Sequence, residues 1–338
     1  MTLILDWEKF GFNLTPTKTM FMAKAGLDGQ WNQQEFLPFG DFQISPAAGV
    51  LNYGQGIFEG MKANRTQNGD IVLFRPLANA ERFAEGAERL CMPIVPTELF
   101  IGAIKKLVQI NSEFVPPYKK GSLYIRPCLW GTGAILGISP APEYTFLVYT
   151  SPVGPYYKGG TLTPIRVLIC DAYHRSATKG TGNIKYIGNY AGTLPFLQKA
   201  KAEGFSGCIY LDAAQSKYIE EVGSANFFCV IDNKILTPKL GSILPGITRD
   251  SVIRLARELL EIEVIEKDIS VDEAKLATEC FCVGTAAVVT PIASLSSLGE
   301  EVIFNNGNIG TLTQKIYDTL MAIQLGELPD PFGWVEKI

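Results

Sequence analysis

The sequence predicts an α+β protein of two domains. In the first half, extended runs rich in β-branched and aromatic residues mix with two long amphipathic helical patterns. In the second half, short strands follow one another across turn residues such as Asp232-Asn233, which favours antiparallel pairing over βαβ units. Between them, Ser151 to Gly160 combines two prolines with three glycines, a composition suited to a connector. The expected division is a small mixed domain over residues 1–150, a linker over 151–160 and a larger domain over 161–338.

In order, Thr19 to Ala23 and Trp31 to Phe36 flank a glycine-rich turn and read as a hairpin. Met61 to Asn64 and Ile71 to Phe74 enclose Gln67-Asn-Gly-Asp70, whose Asn-Gly step is a strong hairpin signal. A helix then starts at Pro76 and runs to about Cys91, with Leu77, Ala80, Phe83, Ala84, Ala87 and Leu90 on one face. Another begins at Thr97 and ends before Pro116-Pro117. Strands Ser122 to Trp130 and Tyr144 to Thr150 enclose an apolar loop, Gly131 to Ala141. Beyond the connector come a strand at 166–170, a helix at 189–203, strands at 207–212, 217–221, 226–231 and 234–236, and a helix at 248–261. The chain closes with strands at 264–267, 280–283 and 287–291, a short helix at 271–277 and a final helix from Thr311 to about Leu325.

At 338 residues, 47% apolar and 19% charged, the chain has the composition of a globular protein. Its net charge of −4 comes without a long run of Lys or Arg, so it carries no footprint for nucleic acid or an anionic membrane, and the expected partner is a small molecule. Asp6, Glu8 and Lys9 interrupt any signal-peptide core and no apolar run reaches membrane-spanning length, which leads to an expectation of a cytoplasmic protein. The seven cysteines form no C-x-x-C pair and read as reduced core residues. With His174 the only histidine, Ser-His-Asp chemistry and a zinc site are not expected. Proton transfer then falls to Lys, Tyr or carboxylates, and an organic cofactor is expected to supply the electron sink.

The stretch from Thr178 to Phe196 sets Lys185 among glycines, amides and two tyrosines without an acidic residue. A lysine partly desolvated in such a loop is suited to attack a carbonyl as the free amine. A solvated lysine in a surface turn fits the same residues. Gly241-Ser-Ile-Leu-Pro-Gly-Ile-Thr-Arg249 leads into the helix near Thr248, which suits an anion such as phosphate, or an ordinary capped helix. Val283-Gly-Thr-Ala-Ala287 offers a second turn of the same kind.

Seven motifs then fall in register over most of the chain. They are Asn-Tyr-Gly-x-Gly-Ile-Phe-Glu-Gly at 52–60, Leu-Phe-Arg-Pro with Asn-Ala-Glu-Arg at 73–82, and Tyr-Ile-Arg-Pro at 124–127. Asn-Ile-Lys-Tyr-Ile-Gly-Asn-Tyr at 183–190, Glu-Val-Gly-Ser-Ala-Asn at 221–226, Leu-Pro-Gly-Ile-Thr-Arg at 244–249 and Gly-Thr-Ala at 284–286 complete the set. This pattern resembles the branched-chain amino acid aminotransferases of pyridoxal-phosphate fold type IV, in their eukaryote-like branch. The resemblance implies an antiparallel pseudo-barrel sheet with flanking helices in the larger domain. It also implies transfer of the amino group of L-leucine, L-isoleucine or L-valine to 2-oxoglutarate by a ping-pong mechanism.

Carried over by position, the resemblance makes Lys185 the residue that binds pyridoxal 5′-phosphate covalently and moves the substrate proton. Glu221 matches the partner of the pyridine nitrogen, and Tyr190 the phenol on the cofactor's 3′ oxygen. Arg82, the backbone of Ile247 and Thr248, and the Thr285 hydroxyl match the phosphate cup. Thr285 and Ala286 N–H groups, with Tyr124 and Arg126, match the substrate carboxylate site; Tyr53, Phe58 and Tyr190 match the apolar pocket walls. Leu136 and Ile138 match residues that reach across from a partner subunit, which implies a homodimer with shared sites. D-amino acid aminotransferase and aminodeoxychorismate lyase share the fold, but the Tyr-x-Arg pair at 124 and 126 argues against both. A cofactor-binding module without turnover would not need the lysine, tyrosine and glutamate set. One departure is that Ala287 and Thr290 stand where some eukaryote-like members carry a redox C-x-x-C.

Overall fold

The computed structural model describes residues 6–7, 10–154, 162–297 and 299–338. The chain divides into two compact units, one comprising Met1–Gly160, Ile184–Gly188 and Ala322–Ile338 and the other Thr161–Asn183 and Asn189–Met321. The connector expected over 151–160 lies partly outside the described residues, which stop at Gly154 after a strand that runs to Val153.

The first unit is built from strands β1 (Thr19–Gly26), β2 (Gln33–Pro38), β3 (Gly56–Phe58), β4 (Met61–Arg65), β5 (Ile71–Phe74), β6 (Ser122–Gly131) and β7 (Glu143–Val153). Its helices are α1 (Gly49–Tyr53), α2 (Pro76–Arg89) and α3 (Thr97–Ile110). The sheet runs from a C-terminal strand, Val335–Lys337, through β5, β4, β6, β7, β1 and β2, with β3 also on β6, and its pairs are antiparallel. Both hairpins expected from the turn residues are present, and Gly69 takes the left-handed φ of +89° that the Asn-Gly turn requires.

Alternation along β6 divides the sheet into two faces. Leu123, Ile125 and Leu129 join Phe83, Phe100, Ile104, Leu107 and Phe146 in a core that takes in the apolar stripe of α3 and Ala80, Phe83 and Ala87 of α2, while Leu77 of the expected α2 face stands exposed. Full burial of an aromatic such as Phe100 contributes about 1.5–3 kcal/mol. Tyr124, Arg126, Cys128 and Trp130 occupy the alternate positions. The second face therefore carries the polar pair, beside a smaller cluster of Met20, Met22, Cys128 and Leu147.

The second unit contains β8 (Ile165–Ile169), all but the first residue of α4 (Gly188–Ala191), α5 (Leu194–Ala202), β9 (Gly207–Leu211), β10 (Ile219–Val222), β11 (Ala225–Ile231) and β12 (Lys234–Pro238). After these come α6 (Ile247–Arg254), β13 (Val264–Lys267), α7 (Val271–Ala274), β14 (Glu279–Gly284), β15 (Val288–Ser297), β16 (Glu300–Ile303) and, as far as Met321, α8 (Thr311–Gln324). The order β10-β9-β8-β15-β14-β11 closes on itself because β10 also pairs with β11, which forms the barrel expected of the fold. β9 to β12 pair antiparallel as the turn-rich sequence implied. Three ladders are parallel instead, β8–β9, β8–β15 and β12–β13. Helical crossovers explain two of them, since α5 separates β8 from β9 and α6 separates β12 from β13.

The single helix expected over 189–203 is two pieces. Pro195 cannot continue a helix through the carbonyl four residues before it, so α5 restarts with Pro in its first turn. Thr193 Oγ1 donates to the Tyr190 carbonyl at 2.6 Å across the break. The strands β3, β16 and Val335–Lys337 and the short α1 were not expected. Each is three to five residues long, too short to display a period.

Candidate active site

The lysine loop is fastened to β3 by backbone bonds. Phe58 N–H donates to the Lys185 carbonyl at 3.2 Å, Ile187 N–H donates to the Gly56 carbonyl at 3.1 Å, and Ile57 and Tyr186 form an isolated antiparallel bridge. The glycines around the loop serve close packing. A Cβ at Gly54, which has φ +66°, would stand 2.4 Å from the Tyr186 hydroxyl, and one at Gly188 would stand 2.4 Å from the same ring. With its backbone pinned, Lys185 is half-buried and places Nζ 4.5 Å from the centroid of Phe58. The solvated surface lysine that the sequence also permitted is therefore not what is observed.

Beside it, Glu59 is fully buried and takes the Arg82 guanidinium in a two-pronged pair, Nε to Oε1 at 2.7 Å and Nη2 to Oε2 at 2.9 Å. Asn79, one helical turn before Arg82 on α2, donates to the same Oε2 at 2.8 Å. Burial works to raise the Glu59 carboxyl, but the Arg82 guanidinium, aided by the Lys185 charge and Asn79, holds it below the usual carboxylate range. Lys185, Glu59 and Arg82 thus form one charged neighbourhood.

On the polar face of β6, Arg126 donates to the Tyr124 hydroxyl at 3.2 Å and lies 4.8 Å from the Phe58 ring centroid. Phe58 therefore carries two cations, Lys185 and Arg126. Arg126 Nε is buried without a hydrogen-bond partner, and no carboxylate pairs with Arg126 among the described residues. A half-buried guanidinium in that state is suited to an incoming anion. Tyr53 ends α1 and donates to the Leu136 carbonyl, and Leu136 and Ile138 stand 92% and 93% exposed.

The second unit holds the other expected residues. Glu221 on β10 is 1% exposed, with Oε2 paired to Arg175 and Oε1 accepting from Asn226 Nδ2 at 3.1 Å. On a regular strand Glu220, the neighbouring residue, would point away from Glu221. It does take different partners, the hydroxyls of Ser176 and Ser242, but a register shift between Ile219 and Glu221 interrupts the alternation and both carboxyls are buried. Burial raises the Glu220 carboxyl, and the two serine hydroxyls only partly oppose it. Tyr190 lies in α4, half-buried.

Ile247 and Thr248 open α6, whose N-cap is Gly246 without a side-chain cap, so the helix N-terminus keeps its polarity for an anion. Gly246 cannot be larger, because a Cβ there would meet Asn226 Oδ1 at 2.0 Å. Thr285 and Ala286 form the turn between β14 and β15, half-buried, and the next strand opens on Val288 at φ +65°, a left-handed conformation rare for a β-branched residue.

Reasoning from the sequence assigned no role to Glu59, Asn79, Arg175 or Asn226. Glu59, just past the apolar strand β3, and Asn79, three residues before Arg82, were open to detection by their positions. Arg175 had no such signal, because its partner is 46 residues away.

Residues 56–295 match the family model described as amino-transferase class IV. Branched-chain-amino-acid aminotransferase 5, chloroplastic, of Arabidopsis thaliana is 47% identical over 99% of this chain and 80% of its own length. Branched-chain amino acid aminotransferase 1, mitochondrial, of Humulus lupulus is 46% identical over 99% and 84%. A T.th. branched-chain amino acid aminotransferase, solved as a complex with N-(5′-phosphopyridoxyl)-L-glutamate, superposes with a TM-score of 0.81 at 28% identity, covering 95% of this chain and 98% of that one. These names correct the cytoplasmic expectation, because similar proteins are chloroplastic or mitochondrial. The reasoning failed because lack of a secretory core says nothing about organelles. With a family model over most of its length and relatives near half identity, the chain belongs to the class IV amino-transferases, among the branched-chain amino acid aminotransferases of fold type IV.

Proposed function

We propose that this chain transfers the amino group of L-leucine, L-isoleucine or L-valine to 2-oxoglutarate, with Lys185 as the catalytic amine. Branched-chain amino acid transamination with pyridoxal 5′-phosphate is the activity of the family. The observation that carries the residue assignment is Lys185 held against Phe58 beside Arg126, a guanidinium with no carboxylate partner among the described residues.

Taken one by one, these residues have the chemistry that the cofactor calls for. The side-chain-free N-cap of α6 and Thr248 suit its phosphate, the buried Glu221 carboxylate suits its ring nitrogen, and Lys185 suits its aldehyde. When bound, the pyridine ring supplies the electron sink for a carbanion at the substrate Cα. Lys185 holds the cofactor and moves the Cα proton, Glu221 keeps the ring nitrogen protonated, and Tyr190 donates to the 3′ oxygen. Arg82, Ile247, Thr248 and Thr285 bind phosphate. Thr285, Ala286, Tyr124 and Arg126 receive carboxylate, while Phe58 and Tyr53 exclude water from the aliphatic side chain.

Leu136 and Ile138 support a homodimer, since two aliphatic side chains more than 90% exposed at one loop favour cover by a second subunit. The test of the function is a panel of L- and D-amino donors with 2-oxoglutarate. Activity confined to branched L-donors and glutamate is expected; activity with D-alanine and none with leucine would replace the reading with D-amino acid transamination.

A further inference from the structure

Arg175 is a buried cation that the transamination reading leaves without a task. Its side chain is 2% exposed and pairs with Glu221, itself 1% exposed. The other Glu221 oxygen accepts from Asn226 Nδ2, and that same nitrogen donates to the Leu244 carbonyl at 3.0 Å. Both amide hydrogens of Asn226 are thereby used, and its oxygen is packed against Gly246. Glu221 is thus fixed on one side by a permanent charge and on the other by an amide tied to the segment leading into α6. Among the described residues Glu220 also lies close to this pair, with its carboxyl bonded by Ser176 and Ser242 and within reach of the Arg175 and Asp212 charges.

We propose that Arg175 is a positioning residue that acts through Glu221, keeping that carboxylate ionised and aimed so that a proton facing it stays on the cofactor's ring nitrogen. The proposal rests on the reading of Glu221 as the ring-nitrogen partner. A carboxylate sharing a proton with a pyridine has two arrangements, one with the proton on nitrogen and one with it on oxygen. In a buried setting the neutral arrangement gains from desolvation. A guanidinium, which stays protonated throughout the working range, stabilises the carboxylate and tips the balance toward the pyridinium. Without Arg175 the proton moves to the Glu221 oxygen, no atom is lost or gained, and the ring becomes a poorer electron acceptor.

The experiment uses holoenzyme loaded with cofactor labelled with 15N in the ring and follows the nitrogen signal from pH 6 to pH 9. Wild type and Arg175→Lys are expected to give the pyridinium signal throughout. Glu221→Gln and Arg175→Gln are expected to give the unprotonated signal, with kcat down at least about tenfold, the response to one unit of proton affinity, and KM little changed. A pyridinium signal in Glu221→Gln overturns the reading of Glu221. An unprotonated signal in Glu221→Gln together with a pyridinium signal in Arg175→Gln overturns the role of Arg175 alone. Should Arg175→Gln fail to fold, the uncharged double variant Arg175→Gln/Glu221→Gln decides. Recovery of folding supports a role exerted through the Glu221 charge, and equal loss shows that Arg175 serves packing only.

Discussion

Lys185 and Phe58 are joined twice, by a bond from the Phe58 N–H to the Lys185 carbonyl and by the approach of Lys185 Nζ to 4.5 Å from the Phe58 ring. The amine is therefore held by a rigid strand and not by a free loop. Lys185→Ala removes only the side chain, so the backbone bonds and fold should survive while transamination disappears, because the covalent catalyst is gone. Stopped-flow and steady-state assays should find activity below about one thousandth of wild type. A higher residue of turnover would show that another group moves the proton.

The Glu59 pair with Arg82 makes a pH-dependent contribution to stability. In protein without cofactor, Glu59→Gln removes the carboxylate that pairs with the buried Arg82 guanidinium, a change that costs about 3–5 kcal/mol near neutral pH. Glu59 has its carboxyl held below its ordinary value of 4.5, so its stabilisation is present above that value and is lost as the pH falls through the lower folded value. The difference in Tm between wild type and Glu59→Gln should be widest at pH 7 and narrow below pH ~4.5. A difference that stays constant to pH 3 would mean that the pair contributes nothing through its charge.

Gly60 provides the space occupied by the Tyr124 hydroxyl. A Cβ at Gly60 would lie 2.1 Å from that oxygen, which accepts from Arg126 at 3.2 Å. Gly60→Ala should displace the phenol and weaken the Arg126 contact, and the KM for 2-oxoglutarate should rise by about tenfold, the scale of one lost charge-assisted hydrogen bond. Tyr124→Phe should match it. An unaffected Gly60→Ala beside an impaired Tyr124→Phe would remove Gly60 from the argument.

What the sequence disclosed follows from the range over which each interaction acts. Hairpins at Asn68-Gly69 and the stripes of α2 and α3 depend on neighbours within a few residues, and they were legible. The break at Pro195 was legible in principle, since the proline's effect is local, but the apolar residues on either side concealed it. Parallel pairing of β8 with β15 joins segments more than a hundred residues apart and left no local trace. The same distinction divides the site. Lys185 stood out by its glycine-rich setting and Arg126 by its spacing from Tyr124, whereas Arg175 acquires meaning only when β10 brings Glu221 to it.

The loop between β6 and β7 supports the last prediction. Leu136 and Ile138 are 92% and 93% exposed, while the adjoining Leu136 carbonyl accepts from Tyr53, so the loop backbone is held and its aliphatic side chains project outward. If a second subunit receives them against its substrate pocket, Leu136→Asp sets a carboxylate beside a bound aliphatic chain, at a cost of a few kcal/mol for an unpaired buried charge. The cofactor should still bind, since none of its expected contacts lies in the loop. Activity toward leucine should fall much more than activity toward glutamate, whose charged side chain depends less on a dry apolar wall, so each donor controls for the other. Half-reaction kinetics with the two donors, on protein shown to be dimeric by sedimentation, make the measurement. Equal losses for both donors, or none for either, would place the loop away from the apolar pocket. A monomer that retains full activity would remove the shared site altogether.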